Sequence, residues 1–175
     1  ISKFLKSKIE GIEKEFVYFN NNGSFYVADV NQKPFSYEIV PNESGKLLCV
    51  SRPLKLAVFG TKYDDFLTVV DLQKKTISIQ CHTNAKVLCA KTIGGRFIIT
   101  GGSDCVLRVW DMLHNFSIES CSCYHEDEII AVAGCRSTGL IASIDRSMNL
   151  VVETLYGQKL INFVPLEKGN FTPLL

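Results

Sequence analysis

A chain of 175 residues, 46% apolar and 21% charged, carries enough nonpolar material for a real core. Its 19 basic and 18 acidic side chains leave a formal charge of +1, so no basic surface is available to neutralise phosphates, which argues against nucleic-acid binding. The longest apolar runs, 129–133 and 56–60, fall far short of the roughly 20 residues that span a bilayer, and the opening Ile1-Ser2-Lys3-Phe4-Leu5-Lys6-Ser7-Lys8 holds no apolar stretch of the secretory kind. Taken in chain order, short runs rich in Val, Ile, Phe and Thr, each bounded by Gly, Asn, Asp or Ser, predict strands. They cover 16–19, 24–29 and 35–40, then 46–50, 56–59, 67–71 and 76–80. Further runs follow at 86–91, 97–100, 106–111 and 116–120, and the last set is 128–133, 140–143, 150–154 and 159–164. Helical spacing competes only weakly, over 2–15.

These runs repeat. Two apolar runs separated by a polar turn recur four times, each pair closing on Asp29, Asp71, Asp111 or Thr154, at spacings of 42, 40 and 43 residues. Four antiparallel strands per period of about 40–45 residues is the pattern of a β-propeller blade. Approximate blades are 10–42, 45–82, 83–125 and 126–168, with 169–175 as the start of a further one.

Cys49, Cys81, Cys89, Cys105, Cys121, Cys123 and Cys135 are odd in number, scattered and set among apolar neighbours. They read as reduced thiols used as small hydrophobes in a reducing compartment. Cys121-x-Cys123-x-His125 lacks the spacing and the second ligand pair of a zinc site, so no metal is expected. The Asn-x-Ser/Thr triplets at Asn22, Asn42, Asn115 and Asn170 are read as chance in a chain without a secretory leader.

The third period carries His82, Thr100, Asp104 and the Trp110-Asp111 pair, and in this it resembles a WD40 repeat. The resemblance implies a hydrogen-bonded tetrad of His82, Thr100, Asp104 and Trp110 that ties the blade together. Cys81 stands where the family has a glycine before the histidine. The fourth period keeps His125 and Ser143 as a partial tetrad and places Ser147 and Glu153 where Asp and Trp would stand. Its segments 125–133, 140–143 and 151–160 look like the C-terminal WD40 region of BEACH-domain proteins, the neurobeachin group.

The fold expectation is therefore an all-β WD40 propeller, partial, with about four blades of a seven-bladed ring. Glycines at 94–95 and 101–102 are expected at turns that need positive φ. Loops at one end of the blades supply Asn84, Lys86, Ser103, Asp127, Glu128 and Arg146 as the expected partner-binding face. No nucleophile elbow, zinc-protease helix or phosphate loop is present, so no catalytic residue and no cofactor is expected. On the resemblance, the chain is expected to be a non-catalytic protein-interaction scaffold, part of a larger BEACH-type protein of vesicle trafficking and membrane organisation. Its partners would be other proteins and the remaining blades of the same polypeptide. Its place would be cytoplasmic, peripheral at endomembranes through the parent protein, without a transmembrane segment. Two other readings stay open: a WD40 adaptor or substrate receptor of another complex such as a ubiquitin ligase, and a propeller-fold enzyme.

Overall fold

The computed structural model describes residues 8–13, 16–21, 24–29, 37–40, 45–51, 54–61, 65–74 and 76–164. Every regular element among them is a strand. The chain divides into two compact units, Ile1–Asn84 and Ala85–Leu175. Residues 169–175, expected to open a further blade, lie outside the described residues.

The first unit holds two antiparallel four-stranded sheets, each connected in simple chain order. One comprises β1 (Lys8–Glu13), β2 (Phe16–Asn21), β3 (Ser24–Asp29) and β4 (Tyr37–Val40). The other comprises β5 (Gly45–Ser51), β6 (Leu56–Thr61), β7 (Phe66–Asp71) and β8 (Thr76–His82). Within the span 2–15, where helical spacing competed weakly, the described residues 8–13 form a strand. A bulge between Ile9 and Gly11 adds a residue to β1, and such an insertion reconciles the three-residue spacing of Ile9 and Ile12 with extended backbone. In the second sheet Val50, Ala57, Phe59 and Val70 form a buried cluster, with Leu47 and Leu72 packed on it.

The second unit repeats the arrangement. Its third sheet runs β9 (Val87–Ile93), β10 (Phe97–Gly102), β11 (Leu107–Asp111) and β12 (Ser117–Ser122). Its fourth runs β13 (Ile129–Cys135), β14 (Leu140–Asp145), β15 (Leu150–Thr154) and β16 (Lys159–Phe163). The two pack face to face, β13 lying against β9 and β10. Ile93, Ile99, Leu107 and Val109 of the third sheet close against Ile129 and Ile141 of the fourth in one core.

The repeat is written into irregularities as well as strands. Each sheet breaks register between its first and second strands, at Ile9/Gly11, Leu47/Cys49, Gly101/Gly102 and Ile129/Ala131. The second, third and fourth sheets also break it between their last two strands, at Val69/Val70, Val109/Trp110 and Val152/Glu153. Bulges steepen local twist, so their recurrence gives successive sheets the same shape. This is an all-β, β-propeller-like architecture.

The period anchors have a physical reason. Asp71 Oδ1 accepts the backbone N–H groups of Gln73 and Lys74, Asp111 Oδ1 accepts that of Leu113, and Thr154 Oγ1 accepts that of Gln158. Each caps the turn from third to fourth strand, where short side-chain acceptors compete well for backbone donors. The next residue then ties that turn back to the one before the second strand: Leu72 N–H donates to Lys55 C=O, Met112 to Arg96 and Leu155 to Gly139.

The glycine expectation divides. Gly94 and Gly95 have positive φ, 60° and 74°. Gly101 and Gly102 lie inside β10 instead, and Gly101 answers to crowding: a Cβ there would stand 2.5 Å from Ile129 Cγ2 and 2.8 Å from Cys89 Sγ. Glycine here buys close approach of the two sheets rather than a turn.

Candidate functional site

Two features of the second unit bring chemistry-bearing side chains together: a buried polar network across the joint between its sheets, and the loops at one end of them.

Of the expected tetrad, His82 lies in the first unit and Thr100, Asp104 and Trp110 in the second. Trp110 is buried, and its indole Nε1–H donates to Thr100 Oγ1 at 2.9 Å. Asp104 instead takes Arg108, whose Nη2 lies 2.5 Å from Asp104 Oδ2, and it also accepts the Val106 N–H. His82 is exposed; its Nδ1 lies 2.9 Å from Asn84 Oδ1 and its ring meets Phe66 edge-on at 5.0 Å.

The fourth sheet keeps a closed chain within one unit. His125 is buried, with Nδ1 3.0 Å from Asp145 Oδ2 and Nε2 2.7 Å from Ser143 Oγ. Asp145, not Ser147, is the carboxylate that holds the imidazole, while Ser147 Oγ donates to Asp127 Oδ2 at 2.9 Å. Ser143 and Asp145 are alternate residues of β14 and so share a face. The position equivalent to Asp145 in the third sheet is Gly102, which has no carboxylate to offer. Burial alone would push the Asp145 carboxyl up, but the bonds from His125 and Asn149 outweigh it and hold the group below the usual carboxylate range. An ionised carboxylate only accepts, so His125 Nδ1 carries the proton toward it.

Glu153 pairs across strands with Ile141, as Trp110 pairs with Ile98. It is 1% exposed; Oε1 accepts from Ser122 Oγ at 2.8 Å, and Oε2 has no partner. At the other end of the third sheet Asp111 is fully buried beneath Arg96 and His114. The paired Arg96 guanidinium, at 2.7 Å, holds that carboxyl far below its ordinary range against the upward push of burial, with His114 assisting.

The loop residues expected to face partners are brought together in pairs. Ser103 N–H donates to Lys86 C=O at 2.9 Å, and Arg146 N–H donates to Glu128 C=O at 3.0 Å, the same bond one sheet later. Arg146 Nε also reaches Glu128 Oε2 at 2.6 Å. Beside them Cys105, in the β10–β11 turn, has its thiol pushed up by burial and by the charges of Asp127, Asp104, Asp145 and Glu128. Lys86 and Arg146 are exposed, and Ser103, Asp127 and Glu128 half-buried. Asn84, in the first unit, is exposed with φ 59° and hydrogen-bonds His82. Sequence reasoning missed Asp145, Arg96 and Arg108. The two-residue step from Ser143 was the available signal for the first; the arginines gave none, because their partners are set by strand pairing.

Ser143, His125 and Asp145 have the connectivity of a nucleophile, a base and its orienting acid. Ser143 is 1% exposed and Asp145 fully buried, so no substrate carbonyl reaches the hydroxyl. The network holds sheets together. Among the described residues no group of three or more His, Cys, Asp or Glu side chains could hold a metal ion, and no helix is long and apolar enough to cross a membrane.

No family model matches the chain, and no curated protein matches it. Among solved structures 957 chains match. One is KlHsv2 with its loop 6CD replaced by a Gly-Ser linker, similar at a TM-score of 0.76 and 16% identity over 93% of this chain and 56% of that one. The chain thus spans a little over half the length of that neighbour. At such low identity the likeness shows the fold alone, a widely used one that hosts many functions.

Proposed function

We propose that this chain is a WD40-type portion of a larger propeller protein and works without catalysis, as a rigid scaffold that presents loops to protein partners. The observation that carries the reading is the repeated Lys86–Ser103 and Glu128–Arg146 backbone pairing, which fixes two neighbouring loops of the third sheet and of the fourth in one geometry. Loops ordered before a partner arrives lose little freedom on binding, so a few contacts there yield useful affinity. The BEACH-type resemblance over the fourth period supports a role in vesicle trafficking and membrane organisation at endomembranes. Burial of Ser143 and His125 favours the scaffold over the propeller-enzyme reading.

The test uses the full-length parent protein. Reversing charge at Asp127, Glu128 and Arg146 together should reduce co-purification of its bound protein at least tenfold, with the melting temperature unchanged. The same change at Glu119 and Lys159, on the outermost strands, should leave it intact. Equal retention in both variants overturns the assignment of this face.

A second surface supports the view that further blades are partners. Ile93, Ile99, Leu107 and Val109 of the third sheet are covered by the fourth. The matching positions of the fourth are Cys135, Ala142, Leu150 and Val152, joined by Ile144, Ile161 and Phe163 across the ladder. They are half-buried to exposed, with Ile161 at 55% and Phe163 at 58%. This face is apolar because it is built to seat another sheet, and left open it is an association hazard. The 175-residue chain alone is therefore expected to self-associate in light scattering. Ile161→Lys with Phe163→Lys should shift it toward monomer, and an unchanged size distribution contradicts this use of the face.

A further inference from the structure

We propose that the outer seam between the third and fourth sheets is a proton-gated joint, closed while Glu153 is protonated and loosened when the proton leaves. The seam is distinct from the apolar core that joins the inner strands. It consists of polar ties from β12 and the loop after it to the fourth sheet. Ser120 Oγ donates to Leu155 C=O at 2.8 Å, Ser122 Oγ to Glu153 Oε1 at 2.8 Å, and Tyr124 Oη to Gly157 C=O at 2.9 Å, while His125 reaches Ser143 and Asp145. Three of these ties end on backbone carbonyls or on an imidazole already held by Asp145. Only the Glu153 tie ends on a carboxyl whose second oxygen is buried and unpartnered.

A carboxylate with one hydroxyl donor and no cation in contact is poorly solvated in such a place, whereas a neutral acid loses far less. The neighbouring groups do not rescue the charge. Asp145 and Ser143 on β14 are committed to His125. Lys159, opposite Glu153 on β16, has Nζ 4.8 Å from the centre of the Tyr124 ring. Arg108 on β11 is paired with Asp104, and Cys121 on β12 is itself pushed up by burial. Burial likewise pushes the Glu153 carboxyl up, against smaller opposing contributions from the Ser122 bond and His125.

The sign follows. A carboxyl that titrates higher in the folded chain than in the unfolded one, whose value is about 4.3, contributes stability that is complete at acid pH. That contribution is lost as pH rises through the folded value. Ionisation places a charge that Ser122 and His125 offset only in part, and the relief is to admit water by parting β12 from β15.

The experiment compares the full-length parent protein with its E153Q variant. The variant should melt above the wild type at pH 8, and the gap should shrink as pH falls toward about 4. Amide exchange in β12 and β15 should quicken with pH beyond the intrinsic rate in the wild type only. Infrared spectra of the wild type should show a protonated-carboxyl stretch that persists to higher pH than that of an exposed glutamate and that E153Q lacks; this reading also stands on a pH series of wild-type spectra if the variant folds poorly. A melting gap independent of pH, or the absence of a titrating carboxyl band, overturns the proposal.

Discussion

Replacing Trp110 with alanine is expected to lower the unfolding free energy by about 3–5 kcal/mol, the range for removing a large buried aromatic side chain. Trp110 is 3% exposed, and its indole N–H is the donor to Thr100 Oγ1, itself 1% exposed. The substitution opens a void in the third sheet and leaves a buried hydroxyl unpaired, two costs that add. Trp110→Phe separates them: it keeps most of the bulk and loses only the hydrogen bond, so about 1–2 kcal/mol is expected. Because Trp110 is the sole tryptophan, the alanine variant is followed by denaturant titration with far-ultraviolet circular dichroism. Asp104→Ala supplies the contrast. Its carboxylate is 26% exposed and pairs with Arg108, which water can partly reach, so about 1 kcal/mol is expected. Equal losses for Trp110→Ala and Asp104→Ala would restore a shared four-residue network that the geometry divides.

Removing the imidazole of His125 should have an effect of similar size, about 3 kcal/mol, because a buried carboxylate then loses its main partner. Asp145 is fully buried and would keep only Asn149, whose backbone and side-chain N–H groups lie 2.9 and 3.0 Å away. Ser143 loses its partner as well. His125→Ala also changes the acid limb of the stability curve. In the wild type the Asp145 carboxyl is held below its ordinary range, so its stabilisation is present above the unfolded-state value of about 3.9 and lost as pH falls through the folded one. Without His125 burial dominates and that acid-side loss shrinks. Denaturant titrations of both proteins at pH 3, 5 and 7 check this. A loss below about 1 kcal/mol at pH 7, less than one buried charged hydrogen bond contributes, would mean that Asp145 finds another donor and the network is dispensable.

The two networks differ at one structural position, occupied by Trp110 in the third sheet and by Glu153 in the fourth. At the site facing the second strand, the third sheet places an indole and the fourth places Glu153. The indole fills the space and satisfies Thr100; the carboxyl fills less and satisfies only Ser122. The fourth sheet compensates with a His125–Ser143–Asp145 chain, which the third cannot build because Gly102 stands at the aspartate's place. A Cβ at Gly102 would meet only the end of the Asp104 side chain, which is partly exposed and free to turn aside.

Much of this was legible in the amino-acid order. Alternating β-branched runs and punctuating Asn, Asp and Gly residues specify strands, because local propensity and turn chemistry act within a few residues. The period was legible for the same reason, since Asp71, Asp111 and Thr154 cap the same turn in successive sheets. The Trp110–Thr100 bond was legible only as part of the tetrad that the WD40 resemblance implied. What only the tertiary structure decided are the contacts that cross between strands of different bulge phase or between sheets. It gave Asp104 to Arg108 and Asp111 to Arg96, chose Asp145 over Ser147 for His125, and left one oxygen of Glu153 alone. A bulge shifts every later pairing by one residue, and the direction a buried side chain takes depends on which neighbour arrives across the gap. Neither quantity is carried by any short stretch of sequence, so packing had to settle both.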